Sequence, residues 1–401
     1  MKEGISKIIT IICAVACFLM LGNIVIKYVI PIINGTIAEL PEGKVYSVDD
    51  VPEEIADFVD PGTDRYAYQQ LDKNEKEAYD RLLMGVCSFA SRIDIKACDI
   101  TMDELKVVYS CMRNDYPELF WVYNNCEVYS SGDRVTDCIP KYLYDKDDSL
   151  KMIENIVAVR DALINPIENY TDYEKVMYVF DYIIDNTDYD LASYNDYQKE
   201  EISDNLELSC NIYGTLIGKK ALCEGYSKTM QYLLNSMGIE CLYVTGKSEG
   251  EGHAWNYVKL DGSYYGLDVT WCDPKSEGET KSYAYCLVDY NTLLTNHEED
   301  VPYKLPDCLG GQYNYYRYNG YELESFSLDE IEKMFFKAYS EGKDFVEIHC
   351  ANQTVYDNFM LAISNQEIFR CFEGIELKYG EYYDTLVYGV IEDVWSIRVN
   401  L

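Results

Sequence analysis

Two runs, Gly252-His253-Ala254-Trp255-Asn256-Tyr257-Val258-Lys259-Leu260 and Ser263-Tyr264-Tyr265-Gly266-Leu267-Asp268-Val269-Thr270-Trp271, flank the pair Asp261-Gly262. Asp-Gly between alternating runs is the strongest short hairpin signal a sequence carries, because both central residues of the tight turn need positive φ. With a two-residue loop, His253 is expected opposite Thr270 and Asp268 opposite Trp255. Alternation then turns His253, Trp255, Asp268 and Thr270 to one face. His253 and Asp268 become diagonal neighbours, with Cβ atoms somewhat under about 7–8 Å apart, so that a carboxylate can accept an imidazole N–H. A slip of one residue would send the two to opposite faces.

Upstream, Gly218-Lys219-Lys220-Ala221-Leu222-Cys223-Glu224-Gly225-Tyr226-Ser227 precedes a helical pattern carrying Met230, Leu233, Leu234 and Met237 and ended by Gly238. Cys223 therefore sits at a helix start, where the free amides and the helix dipole favour the nucleophilic thiolate. For a lone cysteine the alternative is a buried structural thiol. Nucleophilic catalysis also needs a base to take the thiol proton and a third group to hold the base in one tautomer. His253 supplies the first and Asp268 the second, with a surface hairpin bearing an incidental ion pair as the alternative. Trp255 and Trp271 are expected to wall the site as substrate-binding residues, or else to fill the sheet face. The Cys223 amide would donate to an oxyanion, with Tyr213 a candidate second donor whose alternative role is packing. Asp273 ranks behind Asp268 as orienter. His297 and His349 have no partner pattern and read as solvated or structural.

Acidic residues outnumber basic ones by 70 to 34, a formal charge of -36, which repels nucleic acid and anionic lipid. A solvated acidic surface explains most of this, and a preference for cationic substrates is the alternative. The uncharged run from Ile8 to Ile26 has the length needed to cross about 30 Å of hydrocarbon. Lys2 and Lys7 precede it, so the expectation is an uncleaved single-pass anchor with the bulk of the chain extracytoplasmic. Of 15 cysteines, Cys13 and Cys17 lie in that run. With Cys223 kept as a thiol, the remainder are even in number and could pair as disulfides in an oxidising compartment or stay reduced in an anaerobic one. No CxxC spacing and only three histidines occur, so neither a metal nor another cofactor is expected.

The chain divides by composition into an anchor over residues 1–33, a Pro- and acid-rich linker over 34–65, and a helical or mixed domain over 66–165. The segment bearing the three residues follows over 166–310, and a small α+β domain over 311–401 begins after Gly310-Gly311. Thr101-Met102-Asp103-Glu104 has capping-box form. Val176, Val179, Phe180 and Ile183 form one helical stripe.

Cys-Glu-Gly-Tyr-Ser at 223–227, Gly-His-Ala-Trp-Asn-Tyr-Val at 252–258 and Leu-Asp-Val-Thr-Trp at 267–271 resemble, in order and spacing, the three core motifs of the transglutaminase-like superfamily. The resemblance is specific over about 206–274 and looser elsewhere. It implies an α+β fold with a papain-like core, a cysteine-bearing helix packed on an antiparallel sheet, beside a mostly helical N-terminal domain and a small α/β C-terminal domain. It also implies Cys223 as nucleophile, His253 as base and Asp268 as orienter. Many members have Asp-Asp-Pro or Asp-Pro after this tryptophan; here the run is Trp271-Cys272-Asp273-Pro274, and the extra cysteine opens the option of a disulfide beside the site. The expected function is thiol-based acyl chemistry on a protein or peptide amide, hydrolysis first and crosslinking second. The alternative is a catalytically silent binding or scaffold protein that keeps the fold.

Overall fold

Among the described residues, six of the seven longer helices start at side chains the sequence supplies for the purpose. The computed structural model describes residues 42–62, 64–199, 204–273 and 281–401. Its longer helices are α1 (Lys73–Cys87), α2 (Met102–Asp115), α3 (Lys146–Ile164), α4 (Asp172–Asn186), α5 (Cys223–Ser236), α6 (Leu328–Ser340) and α7 (Gln353–Ser364). The strands are β1 (Ile93–Asp94), β2 (Val122–Ser131), β3 (Arg134–Tyr142), β4 (Asp188–Tyr189), β5 (Lys220–Ala221), β6 (Cys241–Ser248), β7 (Glu251–Leu260), β8 (Ser263–Leu267), β9 (Cys286–Val288), β10 (His297–Glu299), β11 (Glu322–Leu323), β12 (Phe345–Cys350), β13 (Tyr388–Ile391) and β14 (Ser396–Asn400). Capping boxes open α1 with Asp72 and Glu75, α2 with Thr101 and Glu104, and α4 with Thr171 and Glu174. Each box satisfies two amides that a helix start leaves without an intrahelical partner. Asp145 opens α3 by accepting from the Asp148 amide.

By contacts the chain forms two units, one running to Lys259 and including His297–Pro306, the other Leu260–Asn296 with Asp307–Leu401. In the first unit β2 and β3 form an antiparallel pair with β1 beside β3. The stripe of Val176, Val179, Phe180 and Ile183 on α4 is buried, as its spacing requires. The Asp115–Trp121 turn is a packing device. The Asp115 carboxylate accepts from the Ala67 and Tyr68 amides at 3.0 and 2.9 Å and from the Tyr79 hydroxyl at 2.9 Å. Trp121 is fully buried and donates to the Val86 carbonyl at 3.3 Å. Further on, β6 pairs antiparallel with β7 from Cys241↔Val258 to Ser248↔Glu251, and β10 lies on the other side of β6.

Glu118 in that turn is the least comfortable carboxylate. Burial pushes it up to about 7 from 4.5, against the opposing pull of Arg65, whose guanidinium is 3.9 Å away. The folded state therefore holds this proton more tightly than the unfolded chain does. The stability it contributes is full below about pH 4.5 and is lost as pH rises through about 7, a change of roughly 3 kcal/mol. Glu118→Gln is expected to flatten urea-unfolding stability between pH 5 and 8 by about that amount; an unchanged pH slope would contradict the assignment.

In the second unit, Asp261 and Gly262 have φ of 50° and 82°, the pair of positive values a tight hairpin turn demands. There β8 pairs with β9, and β11-β12-β14-β13 form a sheet in which β11–β12 is parallel and the other pairs antiparallel. Ser327 caps α6, as its sequence suggests, and Gly342 (φ 76°) follows its end. One expectation fails here. The alternating run reads as strand through Trp271, but β8 ends at Leu267 and Val269–Cys272 is a helical turn capped by Asp268. Thr270 lies inside that turn, so it has no ladder position opposite His253.

The single-pass membrane placement is corrected as well. Among the described residues no helix is long and apolar enough to cross a membrane. The run from Ile8 to Ile26, on which that placement rested, lies outside the described residues. All thirteen cysteines of the described residues carry thiols, twelve of them buried, so no disulfide adjoins Cys272. The buried ones other than Cys223 serve as small apolar filling.

Candidate active site

Cys223 is the first residue of α5, after Leu222 in extended conformation (φ -97°, ψ 176°). It is fully buried. The helix start is pinned from behind, because the Leu222 amide donates to the Ser209 carbonyl at 2.8 Å and the Asp190 amide to the Ala221 carbonyl at 2.9 Å. The Ser209 hydroxyl in turn donates to Asp190 Oδ2 at 2.7 Å. This close approach explains Gly225, since a Cβ there would stand 2.4 Å from the Ser209 carbonyl oxygen. Cys223 shares a buried cluster with Leu222, Cys210, Tyr243 and Ala254, the residue after His253. Burial pushes the Cys210 thiol well above its ordinary range, aided by the nearby carboxylates of Glu224 and Glu207. Cys210 is thus an inert neighbour.

One turn into α5, Lys228 Nζ donates to Glu224 Oε1 at 2.6 Å, with both side chains 7% exposed. Burial lowers the Lys228 pKa, and Glu224 opposes that shift. Strand β7 is tied to the same helix by Asn256, whose Nδ2 donates to the Ser227 carbonyl at 2.9 Å and is 3.2 Å from that of Leu242. A buried amide that bonds both helix and neighbouring strand fixes the height of β7 against α5. Sequence reading left Asn256 without a role.

His253 sits on β7 opposite Gly246, and Trp255 opposite Val244. Both are fully buried. They lie on one face, as alternation predicts, with ring centroids 6.1 Å apart at 26°. His297 joins them. It is 3% exposed on β10 and its ring is 5.5 Å from that of His253. Of the two readings of His297, solvated or structural, burial excludes the first, and no local pattern marked its place beside His253, because its strand has only three residues.

Asp268 and Trp271 belong to the second unit. Asp268 is fully buried and its Oδ1 accepts from the Trp271 amide at 3.0 Å. Trp271 meets Tyr285 edge-on at 5.2 Å. Asp273 ends the turn that Asp268 begins and is also buried. Tyr213 packs on Phe120, rings 6.1 Å apart at 26°, which favours its packing role. His349, in the same unit as Asp268, stacks on Tyr316 at 5.3 Å and stands 3.6 Å from Glu322, a structural position.

Part of the chain is similar to known proteins. The family model of the transglutaminase-like superfamily matches residues 161–269. Kyphoscoliosis peptidase of Homo sapiens is 27% identical over 125 residues, 28% of this chain and 18% of that protein. Kyphoscoliosis peptidase of Mus musculus is 24% identical over 165 residues, 38% of this chain and 24% of that protein. The chain thus spans under a quarter of the length of these relatives. A solved structure described as that of a TGase is 17% identical, covers 40% of this chain and 47% of its own, and superposes with a TM-score of 0.29. The mixed helix-and-sheet chain therefore carries a transglutaminase-like domain, and the matched span contains Cys223, His253 and Asp268.

Proposed function

We propose that this domain performs thiol-based acyl chemistry on peptide amides, with Cys223 as nucleophile, His253 as base and Asp268 as orienter. The observation that carries the reading is Cys223 at the first position of α5, in one buried cluster with the residue beside His253. The helix start favours the thiolate, and a dry surrounding strengthens every charge interaction within it. In the first half-reaction the Cys223 sulfur bonds to the amide carbonyl carbon. The C–N bond then breaks as His253 returns the thiol proton to the leaving amine. Water then releases a carboxylic acid, or a second amine takes the acyl group. Hydrolysis is the first choice because two relatives bear the name peptidase; crosslinking shares the acyl-enzyme and differs only in the acceptor. Trp255 and Trp271 are assigned to exclude water from the thioester.

Iodoacetamide labelling of the native chain tests this reading. Cys223 is expected to alkylate faster than the same thiol in urea, and Cys223→Ala to abolish amide turnover while keeping its melting temperature. Slower labelling than in urea with no turnover in the parent would favour a silent scaffold, and turnover surviving in Cys223→Ala would remove Cys223 as the nucleophile.

A further inference from the structure

The chain has three histidines in 401 residues, and two of them are buried side by side. Beyond the 5.5 Å and 52° between the His253 and His297 rings, a ring nitrogen of each lies within 4.8 Å of one of the other. Trp255 completes a three-ring set, its indole meeting His297 edge-on at 5.0 Å and 78°. The two histidines come from strands that do not touch, since β6 lies between β7 and β10.

Gly246 is what lets them meet. It is the β6 partner of His253 on one side and of Glu299 on the other. A Cβ at 246 would fall 2.0 Å from the Glu298 carbonyl oxygen and 2.8 Å from Trp255 Cη2. Bare backbone at this point allows the indole to pass over the middle strand and reach the ring from β10.

We infer that His297 is a positioning residue for His253, an inference that rests on the acyl-transfer reading above. A base that accepts the thiol proton must hold one tautomer and one ring plane, and its cation needs a polar neighbour where water is excluded. A second imidazole provides that neighbour while itself staying neutral, because two adjacent buried cations repel. The edge-on indole holds His297 in place, and its π face is also available to a cation formed on His253. A phenyl ring would fill the same volume and offer no ring nitrogen.

The test compares His297→Phe and His297→Gln in the full chain, reading melting temperature, the second-order rate of Cys223 alkylation by iodoacetamide, and the ring-nitrogen NMR shifts of His253. The folded Phe variant is expected to alkylate about tenfold to a hundredfold more slowly, with Gln recovering part of the loss. The His253 nitrogens are expected to move from one tautomer in the parent toward a mixture in the Phe variant. A folded Phe variant with parental alkylation and parental shifts overturns the inference. So does an equal loss in Phe and Gln with unchanged shifts, which marks packing alone. Should the Phe variant fail to fold, the parent's spectrum decides, since a His253 already averaged over two tautomers overturns it. An inert Cys223 in the parent defeats the acyl-transfer reading itself, whereas a reactive Cys223 that ignores position 297 defeats only the role of His297.

Discussion

His253→Asn is expected to slow amide turnover and Cys223 acylation by roughly 10²–10⁴-fold, the usual contribution of a positioned general base. Asparagine keeps a polar, hydrogen-bonding side chain in the strand but cannot take a proton near neutral pH. His253 is fully buried on β7, and Asn256 ties that strand to α5 three residues further on. The strand should therefore stay seated, and the melting temperature should change far less than the rate. Turnover of a fluorogenic peptide amide, read beside the melting curve, checks both. A rate within twofold of the parent would remove His253 from the mechanism.

Lys228→Met is expected to be the most damaging single change to stability away from the reacting groups. Both members of the Glu224–Lys228 pair are buried, and the variant leaves a carboxylate without its 2.6 Å partner inside α5. Breaking a buried pair from one side costs about 3–5 kcal/mol, because the surviving charge keeps its desolvation penalty. Replacing both, as Glu224→Gln with Lys228→Met, should recover most of that loss, since a neutral amide tolerates burial better than a lone carboxylate. Urea unfolding of the parent, the single and the double variant measures the coupling. If the single variant lost under about 1 kcal/mol, the pair would behave as solvent-exposed.

What the sequence made legible was local. Capping boxes at Thr101 and Glu104 announce a helix because cap and amide lie within four residues of each other. The Asp261-Gly262 turn announces itself because few residues accept positive φ twice in succession. Cys223 at a helix start followed from the apolar spacing after it. Asp268 was legible as a residue but not as a structure. Its alternation with Thr270 mimics a strand, yet a short carboxylate three residues before an amide is also a helix cap, and here the cap prevails. No pattern of period two distinguishes the two outcomes.

Tertiary features escaped the sequence reading for a common reason. His297 gains its meaning from Gly246 and Trp255, which lie more than forty residues away in the chain and meet it only across a sheet. Asn256 has the pattern of any polar strand residue, and its role lies in the amide it donates to the α5 backbone. Cysteine parity left disulfides and free thiols equally open, and the described cysteines other than Cys223 are thiols, all but Cys126 buried, that pack as small side chains. The apolar run from Ile8 to Ile26 suggested a membrane, and no helix among the described residues supports that placement.

The proposed chemistry requires a covalent acyl bond to one sulfur. Incubating the native chain with an activated peptide ester, quenching in acid and mapping the adduct by mass spectrometry tests it directly. A single acyl group on Cys223, formed far more slowly in His253→Asn and released by neutral hydroxylamine as a thioester should be, is the predicted result. Acylation spread over several of the other cysteines, or none on Cys223 while the parent hydrolyses amides, would contradict it.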